Sequence, residues 1–131
     1  RDRSQAEDGD KKPKGIFSSI EEIEQALESK VISLHSKIIS AFKTLDKDGN
    51  EIVEKYTSTA GRFLLANVLP KNKNIKFSLV NRLLTKKNVS EVIDVIFRYC
   101  GQKETVIFCD IILLYLSVVM IALEASFHED L

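Results

Sequence analysis

An α+β fold, mostly helical, is what this sequence predicts, from three observations. A capped amphipathic helix signature opens the structured part of the chain, a two-fold alternation flanks an Asp-Gly turn near the middle, and everything after Gly61 carries helical spacing. The expected architecture is an N-terminal helix, a two-stranded β element and then a bundle of short helices. The 131 residues are 44% hydrophobic with five Gly and two Pro, the composition of one ordinary globular domain. A chain of this size buries roughly two-thirds of its unfolded surface, enough for a core without disulfides or metal.

Residues 1–15 are polar, contain Gly9, Pro13 and Gly15, and show no apolar period; they read as a flexible lead-in, with the domain proper spanning 16–131. A helix is expected from Phe17, with Ser18 or Ser19 as N-cap, Glu21 and Glu22 in the first turn, and Ile20, Ile23 and Leu27 on one face. It should end near Lys30. Over 31–45 the pattern turns two-fold, Leu34, Ile38 and Phe42 on one side and His35, Lys37 and Lys43 on the other. Asp46-Lys47-Asp48-Gly49-Asn50 breaks the chain before Ile52, Val53 and Tyr56 resume it, which is a hairpin signal.

Phe63, Leu64, Leu65, Val68 and Leu69 predict a short helix stopping at Pro70, because proline disfavours helical geometry in the residue before it. Ser78 is expected to cap a second helix carrying Leu79, Val80, Leu83 and Leu84, closed by Lys86-Lys87. Ser90 is expected to cap a third, with Val92, Ile93, Ile96 and Cys100 as its stripe and Gly101 as its end. The uncharged run 111–123 is 13 residues, short of the roughly 20 a membrane-spanning helix needs, so it reads as a buried core helix. Its surplus of apolar surface suits packing against a neighbouring domain.

Zero net charge conceals three unlike stretches. Residues 1–61 carry 10 basic and 12 acidic side chains, 62–103 nine basic and two acidic, and 104–131 five acidic and none basic. The middle third, at +7, attracts phosphates at a distance, unless it is simply a solvated face balanced by its acidic neighbours. Cys100 and Cys109 are too few for a secreted disulfide scaffold and lack metal-site spacing, which fits thiols in a reducing compartment. No apolar signal region or initiator Met stands at the start, so the chain reads as cut from something longer.

The chemistry-bearing motifs are few. Asp46 to Asn50 places oxygens like the first, third and fifth positions of a calcium loop, but Glu51 stands where the turn needs Gly and Thr57 where a bidentate Glu is required. His35 and His128 lie far apart, the first in an expected strand, and neither has zinc-ligand spacing around it. No local motif marks a nucleophile. Thr59 and Gly61-Arg62 read as either a capped helix start or an anion-binding one.

The order of motifs from residue 31 to 110 resembles the largest catalytic subunit of multisubunit DNA-directed RNA polymerase, the bacterial beta-prime chain. The matching residues are Ser33-Leu34-His35, the Ser58-Thr59-Ala60-Gly61-Arg62 helix start, Leu69-Pro70, Phe77-Ser78-Leu79-Val80-Asn81 and Lys86-Lys87. The series closes with the Arg98 to Gly101 helix end and Thr105-Val106-Ile107-Phe108 before Asp110. Arg1-Asp2-Arg3 is similar to the family's bridge out of the active-site barrel. The resemblance implies a pore or funnel-side domain, lining the secondary channel through which nucleoside triphosphates enter and backtracked RNA is extruded. It also implies contacts with other domains and subunits, with DNA and RNA in the full complex, no membrane, and the bacterial cytoplasm or an organelle.

The family's magnesium-holding aspartate loop is absent from this sequence, so the resemblance implies no catalytic or metal residue here, no cofactor, and Mg2+ held elsewhere in the enzyme. Residues 111–131 diverge from the family pattern, with Leu116-Ser117 where Gly-Phe is expected. Arg62, Lys86 and Lys87 are the candidate phosphate contacts, and Thr59, Gly61, Asn81 and Asp110 the helix-cap or structural motif positions. Two rivals remain: a free-standing phosphate- or nucleic-acid-binding module, and a structural domain whose apolar C-terminal helix docks on another subunit.

Overall fold

The structure, a computed structural model, describes residues 12–130, with side chains through 114. The lead-in before residue 12, with Arg1-Asp2-Arg3, and the side chains of the diverging C-terminal segment beyond 114 lie outside the described residues.

The elements in chain order are β1 (Ile16–Phe17), α1 (Ile20–Glu28), β2 (Lys37–Leu45), β3 (Glu51–Thr59), α2 (Ala60–Asn67), a 3-10 turn (Phe77–Leu79) and a helical stretch Lys86–Asp130. Gly101, at φ 88° and ψ 179°, divides that stretch into α3 (86–100) and α4 (102–130). The class is α+β as expected, but the sheet has three strands in the order β1-β2-β3, not two. Phe17, expected in the first helix, pairs instead with Ser40 in a parallel strand. Two residues are too few to show a period, and the strand exists because Lys14 N–H donates to the Lys37 carbonyl (2.8 Å) and Ile39 N–H to that of Gly15 (3.0 Å).

At the start of α1, Ser19 is the N-cap and accepts from Glu22 N–H at 3.3 Å. Glu22 in turn accepts from the Ser18 backbone N–H and hydroxyl, both at 2.8 Å, so one helix donor is tied off by Ser19 and the residue before the cap is held by the Glu22 carboxylate. These bonds favour the ionised carboxylate and hold its pKa below the usual glutamate value. The helix ends in a Schellman motif: Lys30 N–H donates to the Leu27 carbonyl (3.2 Å) and Val31 N–H to that of Ala26 (3.0 Å), with Lys30 left-handed at φ 62°.

The antiparallel β2–β3 hairpin runs from Lys37 opposite Thr59 to Leu45 opposite Glu51. Its turn is built by Asp46, whose Oδ1 accepts from Asp48 N–H (2.9 Å) and Asn50 N–H (2.8 Å), while Gly49 takes φ 85°. The strand does not reach back to Leu34 and His35. Ser33 and Ser36 close a turn there, Ser33 N–H donating to Ser36 Oγ at 2.9 Å, which leaves His35 exposed outside the sheet.

One face of the hairpin, carrying Ile38, Ser40 and Ser58, is buried under α2 and the chain after it. Four aromatics gather there. Phe77 stacks on Tyr56 with ring centroids 4.4 Å apart and meets Phe63 at 5.0 Å and Phe42 at 5.3 Å. Ile23 of α1, Val92 and Ile96 of α3, and Phe108 of α4 extend the same core, so α4 is anchored on the domain through its first turns.

Two helix expectations need correction. The helix expected from Ser78 does not form: up to Thr85 the backbone makes only the 3-10 turn, and Asn81 spends its side chain on Ser58 rather than on a helix surface. Helix α3 starts at Lys86, not after Ser90, because the Thr85 hydroxyl accepts from Asn88 N–H (3.2 Å) and caps it earlier. Arg82 then pins the irregular stretch to α3 through an ion pair with Glu91 at 3.0 Å.

Candidate functional site

The β3–α2 junction brings Thr59, Gly61 and Arg62 together. Thr59, extended at φ −88° and ψ 154°, is the N-cap of α2, and its Oγ1 accepts from Arg62 N–H at 3.3 Å. The backbone around it is fully engaged: Ala60 N–H donates to the Ser36 carbonyl (3.1 Å) and Gly61 N–H to that of Leu34 (3.0 Å). These amides, which an anion would need, are already held by the 33–36 turn. The junction is therefore a structural splice between helix and sheet, with the half-buried Arg62 side chain as its cation.

Lys86 and Lys87 stand elsewhere, exposed in the first turn of α3. The sequence suggested that they close a helix, where cations complement the dipole. In the structure they open one, where the dipole opposes them. No acidic residue occupies that turn to offset them. Their position thus has no local electrostatic gain, and it adds two charges to the positive end of a helix.

Asn81 accepts from the Ser58 hydroxyl at 2.6 Å, joining β3 to the segment after the 3-10 turn. Asp110 is exposed on α4. Neither the Ser58–Asn81 bond nor Phe77 as the hub of the aromatic cluster was legible in the sequence, since nothing local links residues 23 apart.

Cys100 and Cys109 are free and half-buried, and burial with the neighbouring Glu104 charge pushes the Cys100 thiol pKa up, away from reactivity. Among the described residues, no group of three or more His, Cys, Asp or Glu could hold a metal ion. The Asp46 turn spends one carboxylate oxygen on its own backbone. Among those residues, too, no helix is long and apolar enough to cross a membrane.

A cavity of about 370 Å3 opens beside β2 between the start of α1 and the 69–77 segment. Phe42, Leu69, Ile75 and Phe77 line it, and Lys43, Lys71 and Lys76 also contribute to its wall. The described residues thus offer charged surfaces and a groove, and among them no acid, base and nucleophile converge.

A comparison with protein-family models gives a match over residues 5–120 to the family described as RNA polymerase Rpb1, domain 3. That match takes in the sheet, α1, α2, α3 and most of α4, so the chain belongs to the RNA polymerase Rpb1 domain 3 family, a domain of the large subunit of DNA-directed RNA polymerase.

Proposed function

We propose that this domain forms part of the secondary-channel wall of a bacterial-type polymerase working in the cytoplasm. There it supports the active-site barrel and biases triphosphates and RNA phosphates toward the channel. The domain acts in transcription within a nucleotidyltransferase that has other subunits as partners. In the proposed division of labour, Mg2+ and bond formation belong to residues outside this chain.

The observation that carries the electrostatic part is the placement of Lys86 and Lys87 in the first turn of α3. Cations there gain nothing from the helix dipole, and no acidic neighbour in that turn screens their field from what lies outside the helix. With Arg62 they belong to the +7 middle segment, whose field reaches about 10 Å at 0.1 M salt. The test is charge reversal of Arg62, Lys86 and Lys87 in the full enzyme. The apparent nucleotide requirement should rise at low salt and converge with that of the parent enzyme at high salt. An unchanged requirement with assembly intact would leave these residues a structural role.

A second reading has its own observation. On α4, Val106, Ile107, Leu113 and Leu114 are 51%, 43%, 65% and 68% exposed, an apolar patch on a helix that also carries Lys103, Glu104 and Asp110. As a docking face for another subunit it predicts self-association of the chain alone, relieved by that subunit.

A further inference from the structure

The sheet ends unevenly. β1 pairs with β2 only at Ile39 and Ser40, after which the chain leaves the sheet and enters α1 at Ser19. Residues 41–45 of β2 therefore have β3 on one edge and, among the described residues, no strand on the other.

The direction of the free groups follows from the ladder. Lys37 and Ile39 turn their backbone groups toward β1, as the bonds Lys14 N–H to Lys37 O and Ile39 N–H to Gly15 O show. Asp46 N–H, of the opposite parity, donates to Asn50 O across the hairpin. Alternation places the N–H and C=O of Lys43, and the C=O of Leu45, on the uncovered edge. The Leu45 carbonyl has found a substitute there, the Lys76 ammonium at 3.3 Å. A side chain has taken the place a neighbouring strand would fill.

The cavity lies along this same edge. Its volume of about 370 Å3 falls within the range of roughly 300–1,000 Å3 typical of ligand sites, and its floor includes Phe42 and Phe77. Lys71 and Lys76 contribute to its wall on the 69–77 side, and among the described residues neither has a carboxylate partner; Lys43 is held by Glu51 at 3.6 Å, and Glu21 adds one carboxylate on the α1 side. Edge backbone groups and an apolar pocket are what strand addition to a sheet edge uses, and two cations without a carboxylate partner add a charge preference.

We propose that residues 41–45 of β2 form a strand-addition site for an extended segment of a partner polypeptide. The segment continues the line of β1, lays an apolar side chain over Phe42 and Phe77, and presents carboxylates to Lys71 and Lys76. Acidic residues are preferred to basic ones because the free charges at this end of the groove are positive.

The test uses the 131-residue chain and a fluorescein-labelled peptide, acetyl-Thr-Val-Thr-Phe-Thr-Glu-Glu-amide, followed by anisotropy. Only alternate amides of an added strand face β2. N-methylation of one alternate set should weaken binding roughly tenfold or more, and methylation of the other should leave it nearly unchanged. Lys43→Pro removes the edge-facing N–H without touching the β3 ladder and should weaken binding similarly, while Lys43→Ala should not. Lys71→Glu and Lys76→Glu should each lower affinity.

Absence of saturable binding, equal loss from both methylated sets, or equal binding of a peptide with Lys in place of Glu would each overturn the proposal. Concentration-dependent self-association that Lys43→Pro abolishes would assign the edge to a second copy and overturn it as well. Because the methylation arm leaves the protein unaltered, it decides even if Lys43→Pro fails to fold.

Discussion

The hydroxyl of Ser58, 2% exposed one residue before the end of β3, donates to Asn81 Oδ1 at 2.6 Å. This bond fastens the irregular chain after Phe77 to the sheet and offsets the cost of burying a serine on the core face. Ser58→Ala leaves the Asn81 oxygen without that donor, which should cost about 1–3 kcal/mol in urea unfolding. Asn81→Ala should cost a similar amount, and the double variant less than the sum. Strict additivity would show that the two groups do not act as a pair.

Phe77 touches three aromatic rings and is 3% exposed, whereas Phe97 is 58% exposed on α3. Phe77→Ala should destabilise by about 3–5 kcal/mol through lost burial and a residual cavity. Phe97→Ala should stay within about 0.5 kcal/mol in the same unfolding assay.

Two backbone positions predict changes of opposite sign. Lys30 holds a left-handed conformation that costs an L-residue roughly 1–2 kcal/mol, so Lys30→Gly should raise stability, less the greater unfolded-state entropy of glycine. Gly101 sits at φ 88° and ψ 179°, a region essentially reserved for glycine, and Gly101→Ala should cost about 1–3 kcal/mol although no atom lies within 4 Å of the added Cβ. Thermal melts of both variants decide the signs.

Tyr56 has its phenol pKa raised above the ordinary 10.0, first by burial, then by its hydrogen bond to Glu54 and the charge of that carboxylate. A raised pKa contributes stability that is fully present below the unfolded value of about 10 and is lost as pH rises through the folded one. Unfolding at a series of alkaline pH values should show this loss. Tyr56→Phe, which keeps the stacking on Phe77, should remove that part of it.

Glu22 behaves in the opposite sense. Its depressed pKa contributes stability above the ordinary value of 4.5, lost as pH falls through the folded value. In Ser18→Ala the hydroxyl donor is gone while the backbone donor remains, so an NMR titration of the Glu22 carboxyl should shift part of the way back toward 4.5.

Several caps and turns, and the family, were legible along the chain. The Ser19 cap, the turn at Asp46 to Asn50 and the Thr59 cap depend on groups within four residues of one another, so their chemistry is legible in order along the chain. The ordered motifs from Ser33 to Asp110 pointed to RNA polymerase for the same reason: they are a linear pattern, and the match over 5–120 is linear too.

Tertiary structure decided what depends on distant partners. The apolar spacing at 79–84 fits a helix, but the Ser58–Asn81 bond and the aromatic hub at Phe77 fix that segment as an irregular connection. Lys86-Lys87 followed the expected helix end in sequence and became a helix start in space, because Thr85 offers a cap five residues before Ser90. The two residues of β1 are a strand only because β2 lies beside them. By stopping at Phe17 they leave the rest of that edge without a strand among the described residues, a consequence of long-range pairing that no local period encodes.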